Sequence, residues 1–400
     1  MRDERPDEGD ASSSHRSDSR KPSSQRTATS KSLTRRGEFD FIERIRRQEL
    51  RRAGKQYDSS LVPHPTSLLL GIGDDAAVIR QRASLDTVVT ADLLVEGIDF
   101  RLDRLQTSAR DLGHKALAVS LSDVAAMGAR PRFCLLSVGV PHTRWQSDFL
   151  EEFYRGVRAL AARHGVAIVG GDISRTPARV VVDSVVLGEV RRGRAVLRSG
   201  AREGDQIFVT GSLGGAAAGL KILESRAVSQ SNAKAVSQSD AKLTRQSTAR
   251  LARAQRRLVR RQTRPAPRVE WGALVGERRL ATAMIDLSDG LSSDLAHLCR
   301  ESGVGARIEA ALLPVEPLLK TTTANEGESL SLALDGGEDF ELLFTVRARD
   351  AAKLPKELGG VRATRVGEIT GARGKIKIVR GGRAHVLEPG GFEHFKRGKD

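Results

Sequence analysis

From residue 68 onward, apolar residues come in short runs broken by Gly and Asp. The runs LLLGIGDDAAVI (68–79), DTVVTADLLVEGIDF (86–100), RFCLLSVGV (132–140), GVAIVGGDIS (165–174) and RVVVDSVVLGEV (179–190) predict strands or strand ends. Between them, 108–129 and 148–165 have helical length with apolar positions three and four apart. Ahead of them, GEFDFIERIRR puts Phe39, Ile42 and Ile45 at helical spacing, so order is expected to begin there. A second block opens near residue 202 as strand, glycine turn and helix. It resumes after RPAPRV (264–269) with ATAMIDLSDGLSSDLAHLC, GARIEAALL, ALDGGEDFELLFTV and RVGEITG, and ends near GGFEHF. Strands alternating with helices predict an α/β (α+β) layer architecture, with the break between the blocks at about 192–204.

The second block is interrupted at about 225–264. AVSQSNAK (227–234) recurs as AVSQSDAK (235–242) and leads into RLARAQRRLVRRQTR, an arginine-rich stretch able to form a basic helix. The preferred reading is a solvated loop expansion, with RNA or another acidic partner as the alternative. This insert explains most of the chain's formal charge of +16: residues 221–268 hold thirteen Lys and Arg against two Asp and Glu, a surplus of eleven. Residues 1–36 add a surplus of three, nine against six, and read as a disordered tail. The body is therefore nearly neutral.

At 400 residues the chain has room for two ordinary domains, and 39% apolar residues suffice for their cores. Cys134 and Cys299 lie far apart, with no His or Cys at metal-ligand spacing, so buried thiols in a reducing cytoplasm are expected. No apolar run approaches the roughly 20 residues that span a bilayer. The first twenty residues carry too many acids, and no apolar segment, for a targeting sequence.

One device recurs: an apolar strand that ends in Asp beside Gly, Ser or Thr. It occurs at Asp74 and Asp75, Asp92, Asp172, and Asp286 with Asp289. Asp123 on a helix, and Glu338 with Asp339 in a turn, add to the set. Each alone reads as a cap or turn carboxylate. Together, at strand ends that converge on one sheet edge, they would repel one another unless cations neutralise them. With no His or Cys cluster nearby, the cation is expected to be Mg²⁺, completed by the phosphates of a nucleoside triphosphate. No GxxxxGK[ST] loop is present, since the Gly-Lys pairs at Gly54, Gly374 and Gly398 lack its framework. Phosphates are then expected to be held through metals, backbone amides of GSLGG (211–215) and arginines such as Arg198. His114, His142, His164, His297 and His394 have no nucleophile setting and read as surface or helix-end residues.

The ordered set GEFDFIERI, GIGDDAAV, KALAVSLSDVAAMGARP, GGD, SGAREGD, VTGSLG, IDLSDGL, GGEDFEL and GFEHF resembles the bacterial thiamine-monophosphate kinase family, a branch of the PurM-like superfamily. The likeness runs over 37–395 apart from the insert. It implies a PurM-like two-domain fold, with an N-terminal α/β domain at 37–193 whose strands join across a homodimer, and a C-terminal α+β domain at 194–400. It also implies phosphorylation of thiamine monophosphate by ATP. Carried over motif by motif, the metal ligands are Asp75, Asp92, Asp123, Asp172, Asp286 and Asp289, with oxygens from Thr90 and the backbone of Ala91. ATP contacts fall on Tyr154, Gly171, Asp172, Arg198 and Ser288, and substrate contacts on Asp99, Glu338 and Phe392. Mg²⁺ is the resident metal, several ions being expected, and K⁺ is a further candidate.

Three positions depart from the family pattern: Ala91 for Thr, Asp99 for His, and Ser120 for Asn. The attacking group would be a phosphate oxygen, already largely deprotonated at neutral pH, so no general base is expected. The rivals are another ATP-using member of the superfamily and an RNA-binding or regulatory protein with a degenerate site.

Overall fold

Along strand β3 (Leu85–Val95), Thr87, Val89, Ala91 and Leu93 are exposed while Val88, Thr90, Asp92 and Leu94 turn inward. That period of two fixes which carboxylate faces the interior. The structure is a computed structural model that describes residues 81–102, 107–231 and 245–391, together with 44–45, 47–48, 51, 68–70 and 78–79. Outside the described residues lie the expected tail, residues 232–244 of the insert, Asp74, Asp75 and Phe392.

Strands β1 (Leu68–Leu70) and β2 (Val78–Ile79) pair antiparallel. The first main sheet combines β3, β4 (Arg130–Val140), β5 (Ala167–Arg175) and β6 (Val181–Arg191) in the order β3-β6-β4-β5. Only β4 and β5 run parallel, joined by α2 (His142–Trp145) and α3 (Phe149–His164). Helix α1 (Ala109–Ala126) begins at Ser108, whose hydroxyl accepts from the Asp111 amide at 3.0 Å. It is buried on nearly every side, which its Ala, Gly and Ser content permits. Where α1 meets α3 the backbones touch at glycines. A Cβ on Gly113 would stand 1.9 Å from the Phe153 carbonyl oxygen, and one on Gly156 would stand 2.0 Å from that of Arg110. Any side chain there would force the helices apart.

The chain leaves the first sheet at Arg191 and enters the second at Gln206. There β7 (Gln206–Thr210), β8 (Ala281–Asp286), β9 (Gly305–Glu309), β10 (Leu342–Val346), β12 (Val361–Thr370), β13 (Ile376–Arg380) and β14 (Arg383–Val386) order as β14-β13-β9-β12-β7-β10-β8, with β11 (Glu357–Leu358) beside β12. Its helices are α4 (Gly215–Ser231), α5 (Arg245–Thr263), α6 (Val269–Glu277), α7 (Leu291–Ser302) and α8 (Glu326–Asp335). The predicted α/β (α+β) layering is the one observed.

One apolar core crosses from block to block. Leu117, Leu121 and Val124 of α1 share it with Trp271, Met284 and Phe344. Trp271 is 2% exposed and donates from its indole N–H to the Val361 carbonyl at 3.1 Å. Gly272 lets α6 seat directly on α1, since a Cβ there would lie 2.0 Å from the Ala125 carbonyl oxygen. Helix α1 is thus the shared element between the sheets, and the acids meet along it.

The insert departs from expectation. Residues 245–263 are helix α5, not a solvated loop, and α5 buries Ala254 and Leu258 to 5% and 0% exposure. An amphipathic spacing of four (Ala254, Leu258, Gln262) underlies this, and the prolines at 265 and 267 end the helix.

Candidate active site

Two acids, one from each sheet, are gathered beside a third on α1. Asp92, on the inner face of β3, accepts a hydrogen bond from Ser120 Oγ at 2.7 Å. Asp123, three residues further along α1, accepts from Thr90 Oγ1 at 2.5 Å. Asp286, at the end of β8, is 3% exposed and accepts from Ser122 Oγ at 2.8 Å. Ser120, where the family pattern has Asn, thus serves as a donor to a candidate ligand, and Ala91 turns its side chain to the opposite face.

Electrostatics mark the cluster as short of positive charge. Burial, then the Asp123 charge, pushes the Asp92 carboxyl up to about 6 against the opposing Ser120 bond. Burial and Asp123 together push Asp286 up to about 7. Burial also raises Asp123, while the Thr90 bond and the Arg198 charge pull it back. Arg198 is exposed, and its charge also favours ionised Asp286.

The second loop at the site carries Asp286, Ser288 and Asp289, and it is zipped to the GGEDFEL loop. Leu287 N–H donates to the Glu341 carbonyl at 2.8 Å, Phe340 N–H to that of Leu287 at 2.9 Å, and Glu338 N–H to that of Ser288 at 2.8 Å. Glu338 and Phe340 hold φ of 67° and 49°, the left-handed region that ordinary side chains avoid. Asp294, which sequence reading missed, collars the turn by accepting from the Asp289 and Gly290 amides at 3.2 and 3.1 Å. Burial and the charges of Asp286 and Asp289 push its carboxyl up to about 8.

Beside this lies a chain of charge along the expected substrate side. Lys115, 2% exposed, forms an ion pair with Glu338 and donates to the Asp99 carbonyl at 3.3 Å. Gln262 of α5 also donates to Glu338. The Asp99 carboxylate accepts from the Val95 amide at 2.8 Å, so it closes its own turn. Lys115→Met should raise KM for the substrate by about tenfold with a smaller fall in kcat, because Glu338 loses the cation that orients it. Steady-state kinetics on the folded variant checks this, and a change confined to kcat would reject the positioning role.

Several expected residues are placed elsewhere. Gly171 and Asp172 sit on β5, the edge opposite β3: Asp92, Ser184, Leu136 and Gly171 form one cross-strand row. With strands roughly 4.8 Å apart, three steps separate Asp172 from the acid cluster by about 14 Å. Tyr154 is a core side chain, 4% exposed, edge-on to Phe153 with Arg158 over its ring. The GSLGG amides are largely spent on the protein itself. Gly214, and Ala216 just beyond the loop, donate to the Asp339 carboxylate at 2.6 and 3.1 Å, Gly211 to the Arg362 carbonyl and Leu213 to that of Pro314. Asp339 therefore takes the place expected of a phosphate. Arg261 of α5 braces the same loop, donating to the Ser212 carbonyl at 2.5 Å and to Glu316 at 3.1 Å, while Arg268 pairs with fully buried Glu341. His114 is held by a 2.8 Å contact to the Pro265 carbonyl.

All the donors in the cluster are oxygens, which suits a hard divalent cation rather than a soft one. Among the described residues no three carboxylates or imidazoles converge on one point closely enough to hold an ion unaided. Carboxylate oxygens of this kind fit Mg²⁺, which takes one or two carboxylates directly and completes its octahedron with water and phosphate.

Residues 73–190 match the family model of the AIR synthase related protein, N-terminal domain, and residues 202–379 match that of its C-terminal domain. Over 328 residues the chain is 38% identical to the thiamine-monophosphate kinase of Escherichia coli (strain K12), covering 82% of this chain and 92% of the relative. The crystal structure of thiamine-monophosphate kinase from Stenotrophomonas maltophilia K279a superposes with a TM-score of 0.70 at 36% identity, covering 87% of this chain and 98% of the other. AaThiL complexed with AMPPCP and TMP gives 0.63 at 29% identity, covering 91% and 100%. The described fold, with its acids gathered between two sheets, and these likenesses agree: the chain belongs to the thiamine-monophosphate kinase family.

Proposed function

We propose that the chain transfers the γ-phosphoryl group of ATP to thiamine monophosphate, giving thiamine diphosphate and ADP. The observation that carries this reading is the trio of Asp92 from the first sheet, Asp286 from the second and Asp123 on α1 between them, each with its pKa held above the ordinary carboxylate value. The solved AaThiL complex, with an ATP analogue and TMP bound, supports the same substrate pair.

The reaction asks little acid–base work of the protein. The attacking atom is a phosphate oxygen whose second pKa is about 6, so it arrives largely deprotonated. The task is to hold two polyanions in line. Asp92, Asp123, Asp286 and Asp289, with Thr90, Asp75 and the Ala91 carbonyl, would hold Mg²⁺, and Asp172 would hold a further ion from the β5 edge. When bound, Mg²⁺ offsets phosphate charge and stabilises it as the group transfers. Arg198 would lend a fixed positive charge to the polyphosphate, and Ser288 and, from the β5 edge, Gly171 are the candidate nucleotide contacts. Glu338, oriented by Lys115 and Gln262, would face the cationic thiazolium, and Phe392, outside the described residues, is the candidate aromatic partner. K⁺ is a candidate for an additional cation. A cytoplasmic location suits ATP and the two buried free thiols, Cys134 and Cys299. Among the described residues no helix is long and apolar enough to cross a membrane.

The test is ADP release with Mg²⁺ and ATP against thiamine monophosphate and free thiamine, with thiamine diphosphate identified by chromatography. Monophosphate-dependent release that yields the diphosphate is expected. Release without the diphosphate, or none from folded protein, would overturn the reading.

The homodimer rests on β3, an edge strand whose outer face exposes Val89 and Leu93 at 62% and 59%, with Ile98 beyond it at 66%. An exposed apolar edge of this kind pairs with another chain. Leu93→Asp is expected to halve the sedimenting mass, and an unchanged mass would move the interface elsewhere.

A further inference from the structure

Helix α5 divides its arginines sharply. At its end and just beyond, Arg261, Arg264 and Arg268 turn inward to Glu316, Glu341 and Asp111. Arg250, Arg253, Arg256, Arg257 and Arg260 are exposed, and among the described residues no acid pairs with any of them. At 3.6 residues per turn these five fall within an arc of roughly 120°. The stretch 245–263 contains no Asp or Glu, so like charges three and four apart stand uncompensated along one face.

We propose that this outward face of α5 binds the phosphate backbone of a nucleic acid without reading its sequence. The stripe from Arg250 to Arg260 runs about 15 Å, long enough for roughly four phosphates of one strand. Guanidinium forks match phosphate oxygens in pairs, and a polyanion laid along the stripe turns each mutual repulsion into an attraction. A bilayer fits less well, because the apolar arc of α5, Ala254 and Leu258, is already buried and leaves nothing to insert. The stretch 245–263 also has no aromatic side chain on which a base could stack, which limits recognition to the backbone.

The experiment titrates the full chain into fluorescein-labelled single-stranded RNA of two unrelated sequences across a salt series, following anisotropy. Similar affinity for both sequences is expected, with a slope of log K on log salt of about −3. The variant R250Q/R253Q/R257Q/R260Q should bind at least about tenfold more weakly with a flatter slope. Its kinase turnover should be unchanged, which also certifies its fold. Equal binding by variant and parent, no binding at low salt, a slope near zero, or capture of phosphatidylserine vesicles in place of RNA would each overturn the proposal.

Discussion

Asp286→Asn is expected to leave a folded protein that makes thiamine diphosphate roughly a thousandfold more slowly, a loss of about 4 kcal/mol in the transition state. Asn keeps the shape of Asp and can still accept the Ser122 bond, so packing at the end of β8 survives. What disappears is a negative charge between the two sheets, on the side chain whose pKa is raised by burial and by Asp123. In the metal-free protein that charge is a burden, so the variant should melt no lower than the parent and should lose most of the parent's stabilisation by Mg²⁺ and ATP. Thermal melts with and without ligand, beside turnover measured as product, separate the two effects. Near-normal turnover would remove Asp286 from the machinery, and a collapsed melt would make its role structural.

That Asp286, Asp123 and Asp92 belong together was legible in the sequence because each ends or faces an apolar element whose period is plain. The alternation of β3 even tells which neighbours of Asp92 turn outward. Strand order is not written in such periods. Asp172 follows an apolar run just as Asp286 does, yet β5 lies at the far edge of its sheet, and only pairing through β6 and β4 reveals that. Glycine-rich GSLGG looked like a phosphate cradle because exposed amides and occupied amides read alike. Its occupant, Asp339, lies more than a hundred residues along the chain. The same distance hid the role of α5. An arginine run reads as solvated unless one knows that Glu316, Asp339 and Glu341 converge on its end. Lys115 was visible in the KALAV motif, but nothing local says that a lysine on so apolar a helix is buried against Glu338.

Stability of the metal-free protein should fall as pH rises from about 7 to about 8.5, by an amount on the order of 1–2 kcal/mol, or a few degrees of melting temperature. The sign follows from the direction of the shifts. Asp286 and Asp294 sit at about 7 and about 8 in the fold, against an ordinary value of 3.8. Across this window the folded state therefore holds protons that the unfolded chain has already lost, and each step up in pH favours unfolding. Asp92, at about 6, has mostly ionised before the window opens. His114 and His164 act oppositely, since burial lowers both, His164 to about 4. Their effect is stability gained as pH rises toward the ordinary histidine value of about 6.5, so it is largely complete below pH 7. The carboxylates then set most of the slope, with a small addition of the same sign from the buried Cys299 thiol near the top of the window. Asp294→Asn should flatten it most, because Asp294 stays protonated furthest into the window. Saturating Mg²⁺ with ATP should flatten it as well, by stabilising the ionised form of Asp286 and returning its proton to solvent. Melting curves across the window, on the metal-free parent, the variant and the liganded parent, read all three. A melting temperature that is flat or rising in the metal-free parent would mean that these carboxylates are solvated and that the site is not poised for cations.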